Sequence, residues 1–535
     1  MAQQFHLADL FEIVSAALPE RVALLSDVGA LTYQELDTNS DRVAVGLTER
    51  GIKRGDTVGL CLMNGPEYIE AMLAIVKIGA VPFNVNYRYG EEELAYLFAN
   101  AEASAIVHNA EFSPTMRSLR SRMPHIGSTI VVGGAADVEN PASITYETLL
   151  QSQPRKGFIR SENDILLQYT GGTTGMPKGV MWPHKAFFFS CLGGAGHFHP
   201  AGPIVAPEDI ANRAREGHLL TMFPIAPLMH GAAIWTAGAA LMGGLTIVLD
   251  PMRHFDAEAI WDRVEKFQVN VVQIVGDAMA MPLHDALRDN PGRWNLDHVV
   301  SFGSGGAVFS ANLKAAIKSF LPNATIMDGM GTSEGGLSGQ ALPSDDGVMR
   351  LRAGPEQWII VDNRLAEPGE TGVIGRSGLT PIGYYNDVAK TAEVFVSVDG
   401  KLWTISGDMG RLEDDSTITM FGRGSTCINT GGEKVFPEEV ETALRQHPAI
   451  RDAVVVGAPD EKWGEAVTAI VSLKLGENPP TVADIRDFMR DEYAGYKCPK
   501  TLVVVEEVRR SPAGKQDYAW AKSLVNAQLV RADKD

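Results

Sequence analysis

The sequence predicts an α/β fold, with a large N-terminal multi-layer domain built on mainly parallel sheets and a small, mobile C-terminal α+β lid domain. Two observations carry this. Short apolar runs alternate with helical patterns through most of the chain, the pattern of parallel sheets flanked by helices. After Gly424 the alternation contracts into about 110 residues, enough for one small domain.

Taken in order, residues 57–62 are continuously apolar apart from Thr57 and read as a buried strand. Residues 66–78 read as a helix. Pro66 suits its first turn and Gly79 its stop, and Ile69, Met72, Leu73 and Val76 share one face. Further strands are expected at 105–108, 129–132, 165–169, 245–249, 271–274 and 299–302. In such sheets ligands bind beyond the carboxyl ends of the strands. The last part reads as a helix at 437–446, strands at 453–458 and 467–473, a helix at 482–493 and a strand at 502–505. No internal repeat or low-complexity segment is present.

Composition narrows the function. A formal charge of −19 over 535 residues argues against a general nucleic-acid binder, which needs a basic face. Cys61, Cys191, Cys427 and Cys498 lack metal-binding spacing and fit a reducing, cytoplasmic setting. The N-terminus carries no basic start with an apolar core, so no signal peptide is expected. Residues 219–249 contain no charge and exceed a membrane span in length. Pro224, Pro227, His230 and several glycines within them favour a buried loop, helix and strand, so no transmembrane segment is expected.

The most informative segment is Tyr169-Thr-Gly-Gly-Thr-Thr-Gly-Met-Pro-Lys-Gly179. Glycines let a backbone approach a ligand closely, and exposed N–H groups in such a turn make an anion nest. Thr173 and Thr174 add hydroxyl donors and Lys178 a positive charge. The combination suits a polyphosphate, although its spacing departs from that of a P-loop.

Here the chain resembles the adenylate-forming superfamily of acyl-CoA synthetases, peptide-synthetase adenylation domains and luciferase. Further segments match in the family's order: Pro227-Leu-Met-His230, Gly303-Ser-Gly-Gly-Ala307, Gly329-Met-Gly-Thr-Ser-Glu334, Ser406-Gly-Asp408, Gly422-Arg423, Gly431-Gly432 and Ser511-Pro-Ala-Gly-Lys515. The resemblance implies an adenylation domain over 1–422 and a lid over 423–535 that carries the catalytic lysine. It also implies ATP, Mg²⁺ and CoA. An acid would attack the α-phosphate of ATP to give acyl-AMP, and the CoA thiol would then displace AMP.

By the same resemblance, Thr170, Gly171, Gly172, Thr173, Thr174 and Lys178 hold phosphates, and Glu334 binds Mg²⁺. Ser333 offers a hydroxyl. Gly305, Gly306, Ala307, Met330 and Gly331 border adenine, with Met330 standing where an aromatic residue is usual. Asp408 accepts from the ribose hydroxyls and Arg423 adds a donor. Lys515 offsets charge developing at the reacting phosphate. His230 gates the acyl pocket, and Gly431 and Gly432 face pantetheine. Ser425 and Asn429 replace an acidic residue and a lysine of the family's hinge.

Residues 231–244 are small and apolar. If they line the acyl pocket, the substrate is a hydrophobic carboxylic acid. Segments 82–89, 328–334 and 510–518 resemble an actinobacterial-type subgroup acting on fatty acids or steroid side-chain acids. Open alternatives are an acyl-AMP ligase loading a carrier protein, a luciferase-like oxidase, a phosphotransferase and a non-catalytic acyl-binding or transport module. A homo-oligomer is compatible with any of these.

Overall fold

The computed structural model describes residues 4–172, 175–196, 199–217, 219–307, 309–340, 342, 349–430, 433–460, 464–490, 493–510 and 515–532. The side chains of Gln340, Arg423, Ser425, Asn429, Lys434 and 529–532 lie outside that description.

Four sheets organise the described residues. The first runs, in spatial order, Ser143–Thr145, Ser128–Val132, Ala105–Asn109, Thr57–Cys61, Val81–Asn84, Ile165–Gly172 and Gly175–Pro183. Every pair in it is parallel except the last. The second sheet has eight strands, parallel inside and antiparallel at both edges. Thr57–Cys61 is buried along its whole length, as a strand covered on both faces must be. The helix Pro66–Lys77 buries Tyr68, Ile69, Leu73 and Val76.

The third sheet, between Arg350 and Arg423, is antiparallel throughout. The fourth belongs to the small C-terminal domain and holds the strands from Ile428 to Val504. Its core packs Val440, Ala443 and Leu444 of the helix Pro437–Gln446 against Val455, Val467 and Val471 of the strands.

Three expectations need correction. The strand expected at 165–169 runs on to Gly172 and pairs with Gly175–Pro183. The described parts of the Tyr169–Gly179 segment are therefore paired strands, whose ladder satisfies backbone groups that a free loop would leave to water. The strand expected at 299–302 is Ser301–Gly305, so Gly303 and Gly305 lie in the ladder rather than in a turn. The helix expected at 482–493 ends at Met489. The uncharged stretch 219–249 divides into the strand Thr221–Pro224, the helix Gly231–Met242 and the strand Thr246–Val248. Among the described residues no helix is long and apolar enough to cross a membrane.

Candidate active site

The carboxyl ends of strands from both parallel sheets open on one cavity of about 1930 Å³ that the C-terminal domain closes from the other side. Its wall brings together Thr170, Lys178, His230, Gly305, Gly306, Ala307, Met330, Gly331, Ser333, Glu334, Asp408 and Lys515. Gly171 and Gly172 end the first strand of the phosphate hairpin. Arg423 ends the strand Thr417–Arg423 and is the backbone partner of Asp408. Thr173, Thr174, Gly431 and Gly432 lie outside the described residues.

At the phosphate end Lys178 forms an ion pair with Asp387. The lysine's hydrogen bond holds the Asp387 carboxyl below its ordinary range. Asp387 Oδ1 also accepts from the Lys390 amide at 2.9 Å, capping the helix Val388–Val394. Glu334 follows the strand Thr325–Thr332. Its Oε1 accepts from the Tyr384 hydroxyl at 2.8 Å. Trp182 Nε1 donates to the Ser333 carbonyl at 2.9 Å and fixes the same turn. Glu334 with the hydroxyls of Thr332 and Ser333 on the same wall is a hard, oxygen-only donor set with one carboxylate. Magnesium, which keeps most of its water, fits such a set.

Asp408 also lines the cavity and lies within the strand Lys401–Leu412, not in a loop. It is 7% exposed and accepts from Ser406 Oγ at 2.7 Å. Met330 packs in a cluster with Leu351, Ile359 and Ile418 and borders the cavity. Asp328, which motif reading did not single out, lines the same wall and pairs with Lys314 at 2.8 Å. Burial pushes its carboxyl above the ordinary range, against the pull of Lys314.

The helix Gly231–Met242 supplies the apolar wall. Gly231, Ala232, Trp235 and Thr236 border the cavity, as helical spacing puts them on one face. Ala233, Ala237, Ala239 and Ala240 are instead buried in the core, so only part of the 231–244 segment lines the pocket. Trp235 Nε1 donates to Gln168 Oε1 at 2.9 Å. A Cβ on Gly331 would stand 2.9 Å from the Trp235 ring, so glycine is needed there. Phe189, Val275, Met279 and Leu337 extend the apolar lining.

His230 is the residue before this helix. Burial, with the Lys515 and Arg88 charges adding to it, pulls its imidazole down to about 4. It is therefore neutral near pH 7 and suits a gate or hydrogen-bonding partner better than a cation. Asn84 holds the loop before it to the phosphate hairpin. Its Nδ2 donates to the Met229 carbonyl at 2.8 Å and the Tyr169 carbonyl at 2.9 Å, and its Oδ1 accepts from the Tyr169 amide at 2.7 Å. Asn64 does the same for the preceding turn, through the Ala226 carbonyl and the Leu228 amide. Asn84 lies in the segment 82–89 that carries the subgroup resemblance, but nothing in the sequence names its two targets, which lie far away along the chain.

The C-terminal domain contributes Lys515, an exposed side chain at the cavity rim beside Gln516, Asp517 and Tyr518. Gly422 has φ +111, and a Cβ there would lie 2.2 Å from the Glu438 carboxylate. The positive φ favours glycine at this position.

With this geometry in place, the chain matches the AMP-binding enzyme family over residues 11–380 and the AMP-binding enzyme C-terminal domain over 439–515. It is 41% identical to the 3-oxocholest-4-en-26-oate–CoA ligase of Rhodococcus rhodochrous, covering 97% of this chain and 95% of that one. It is 40% identical to a medium/long-chain-fatty-acid–CoA/3-oxocholest-4-en-26-oate–CoA ligase of Mycolicibacterium smegmatis, covering 97% and 96%. The crystal structure of the anthranilate CoA ligase AuaEII with anthranoyl-AMP superposes with a TM-score of 0.84 at 22% identity, covering 98% of each chain. The chain belongs to the AMP-binding enzyme family, as an adenylate-forming acyl-CoA synthetase.

Proposed function

We propose that this synthetase activates a bulky hydrophobic carboxylic acid, a fatty acid or a steroid side-chain acid, and that one cavity serves both half-reactions. The observation that carries the proposal is the composition of that cavity. Lys178, Glu334, Asp408 and Lys515 share it with the apolar wall of Ala232, Trp235, Val275, Met279 and Leu337. The acid activated by the two relatives at 41% and 40% identity supports the same substrate class.

In the first half-reaction the carboxylate lies against the Trp235 helix and ATP spans the strand ends. Backbone and hydroxyl donors of the phosphate hairpin, with Lys178, hold the β- and γ-phosphates. Asp408 accepts from the ribose hydroxyls, and Arg423 adds a donor. Met330 and the Gly305–Ala307 segment cover the adenine. Glu334, Thr332 and Ser333 would hold Mg²⁺, which supplies charge neutralisation on the phosphates. Lys515 stands beside the reacting phosphate and carboxylate, where a fixed cation lowers the barrier. The acid oxygen bonds to the α-phosphorus, pyrophosphate leaves and acyl-AMP remains.

In the second half-reaction the CoA sulfur bonds to the acyl carbon and AMP leaves. A thiol with an ordinary pKa of about 8.5 needs little help from a base. Neutral His230, at the start of the acyl wall, controls access instead. We assign the boundary between the domains to residues 422–423 and treat the C-terminal part as a lid that moves between the half-reactions. Gly431 and Gly432 are assigned to the pantetheine side. Among the described residues the four cysteines form no disulfide, in accord with a cytoplasmic enzyme.

The test is mass spectrometry of products from ATP, Mg²⁺, CoA and a panel of fatty, aryl and steroid side-chain acids. AMP with a fatty or steroid acyl-CoA is the expected result. Turnover confined to small aryl acids would refute the substrate class, and acyl-AMP without thioester would point to another acceptor.

A further inference from the structure

Lys515 lies between two residues that are tied into the interior of the C-terminal domain. Arg510 and Gln516 form an isolated antiparallel bridge on either side of it. Arg510 Nε donates to Asp452 Oδ2 at 3.1 Å, and its Nη2 also reaches that carboxylate. Gln516 Nε2 donates to Glu441 Oε2 at 2.9 Å. Both acids are buried, and both are held by one cation. Arg445 Nε donates to Asp452 Oδ1 at 3.0 Å, and Arg445 Nη2 donates to Glu441 Oε2 at 3.3 Å. Arg445 is itself 4% exposed, and its Nη2 also donates to the Ala453 carbonyl at 2.9 Å.

Arg445 lies in the last turn of the helix Pro437–Gln446. Carbonyls in a last turn have no partner within their own helix. The partner for Arg445 comes from the large domain: Asn312 Nδ2 donates to the Arg445 carbonyl at 3.1 Å. Five residues beyond the helix, Arg451 reaches Asp285 at 3.6 Å and Met281 Sδ at 2.9 Å on the large domain. A single residue of the small domain thus receives a bond from the large domain on its backbone and grips the two acids behind Lys515 with its side chain.

We propose that Arg445 and its two acids form a positioning relay that couples docking of the lid against Asn312 to the placement of Lys515 for adenylate formation. The proposal rests on the assignment of Lys515 to that half-reaction. Such a relay would make the lysine competent only when the lid is seated on the helix Ala311–Phe320. A buried ion cluster, bonded through Arg445 Nε and Nη2, suits this task because breaking such bonds in a low-dielectric interior is costly. When the lid leaves that seat, the Arg445 carbonyl loses its partner while the cluster within the small domain stays intact. The second half-reaction then proceeds without a call on Asn312.

The experiment compares Asn312→Ala, Arg510→Ala, Arg510→Lys and the double variant Asn312→Ala/Arg510→Ala in the full chain, with Lys515→Ala as reference. Two rates are measured: acid-dependent ATP–pyrophosphate exchange, and thioester formation from supplied acyl-AMP and CoA. Thermal unfolding monitors the fold. Arg510→Ala is expected to slow exchange at least ~10-fold, the size of a lost charge-assisted hydrogen bond. Arg510→Lys should recover part of that, and Asn312→Ala should slow exchange by about 3–5-fold. Thioester formation should stay within about twofold of the parent in each, since these bonds serve the other half-reaction.

In the double variant the two losses are expected to combine to less than their product, because both act on one element. Full multiplicative losses would overturn the relay, as would equal slowing of both half-reactions or unchanged exchange in Arg510→Ala. If Lys515→Ala itself leaves exchange intact, the assignment of Lys515 fails, and that outcome is distinct from failure of the relay alone.

Discussion

Tyr384 donates its phenolic hydrogen to Glu334 Oε1 at 2.8 Å. The two residues are fifty positions apart, one in the turn after the strand Thr325–Thr332 and the other at an isolated bridge to Val180, yet the bond sets which oxygen of Glu334 remains for a cation. Tyr384 is 6% exposed, so the bond is shielded from competition by bulk water. Tyr384→Phe should raise the Mg²⁺ concentration for half-maximal turnover by about 3–10-fold, the effect of one lost bond to a charged group. Glu334→Gln should raise it further. Turnover titrated with Mg²⁺ checks both, and an unchanged titration in Glu334→Gln would remove the metal assignment.

The ion pair between Lys178 and Asp387 gives a prediction with an uncommon sign. ATP must draw the lysine away from a carboxylate that already holds it. Asn keeps the helix cap that Asp387 provides but removes the competing charge. Asp387→Asn is therefore expected to lower the KM for ATP by about 2–5-fold, in the range of an exposed ion pair. Lys178→Ala should raise it. A higher KM in Asp387→Asn would mean that the carboxylate aims the lysine rather than competing for it.

Ala232 stands on the cavity face of the acyl helix, and a Cβ on Gly306 would lie 3.8 Å from its methyl group. A larger side chain there fills the space between the apolar wall and the adenine side. Ala232→Leu should raise the KM for a steroid side-chain acid about tenfold or more and that for a short acid much less. One added methylene group is worth about 1–3 kcal/mol in a hydrophobic pocket. Kinetics with the two acids decide this, and equal effects on both would place the acyl chain elsewhere.

Buried and partly buried histidines give the protein an acid-sensitive fold. Burial pulls His184 down to about 3 and His230 to about 4, and lowers His6 further still. Their folded values lie below the ordinary 6.5, so the unfolded chain takes up protons first as pH falls. Stability contributed by the neutral rings is complete above about pH 6.5 and is lost progressively down to about pH 4 and below. His184→Gln should make the decline of unfolding free energy shallower by up to ~1.4 kcal/mol per pH unit in that window. Chemical denaturation at pH 7, 6 and 5 measures it, and an unchanged slope would contradict the account.

Local pattern made much of this protein legible. The strand Val271–Ile274 and the helix Pro437–Gln446 match their expected limits, because burial and end signals there coincide. Thr170, Gly305 and Glu334 converge because each stands at or near a strand end. What stayed hidden was partnership across the chain. Nothing near Glu334 in sequence indicates Tyr384, and nothing near Lys178 indicates Asp387. Asn84 and Asn64 read as ordinary polar residues until the strands they connect lie side by side. The phosphate hairpin was read as a loop because glycine and threonine are turn residues, whereas ladder pairing with Gly175–Pro183 decides its conformation. The motif around Asp408 does not indicate its place in the strand Lys401–Leu412, which follows from pairing on both sides of that strand.

The central claim is that one cavity makes acyl-AMP as a discrete first product before CoA reacts. The most direct measurement is ATP–pyrophosphate exchange in the absence of CoA, with and without a hydrophobic acid that the enzyme turns over. The account predicts exchange that requires the acid and is suppressed by Lys515→Ala. Exchange that appears only when CoA is present, or release of ADP instead of AMP, would contradict it.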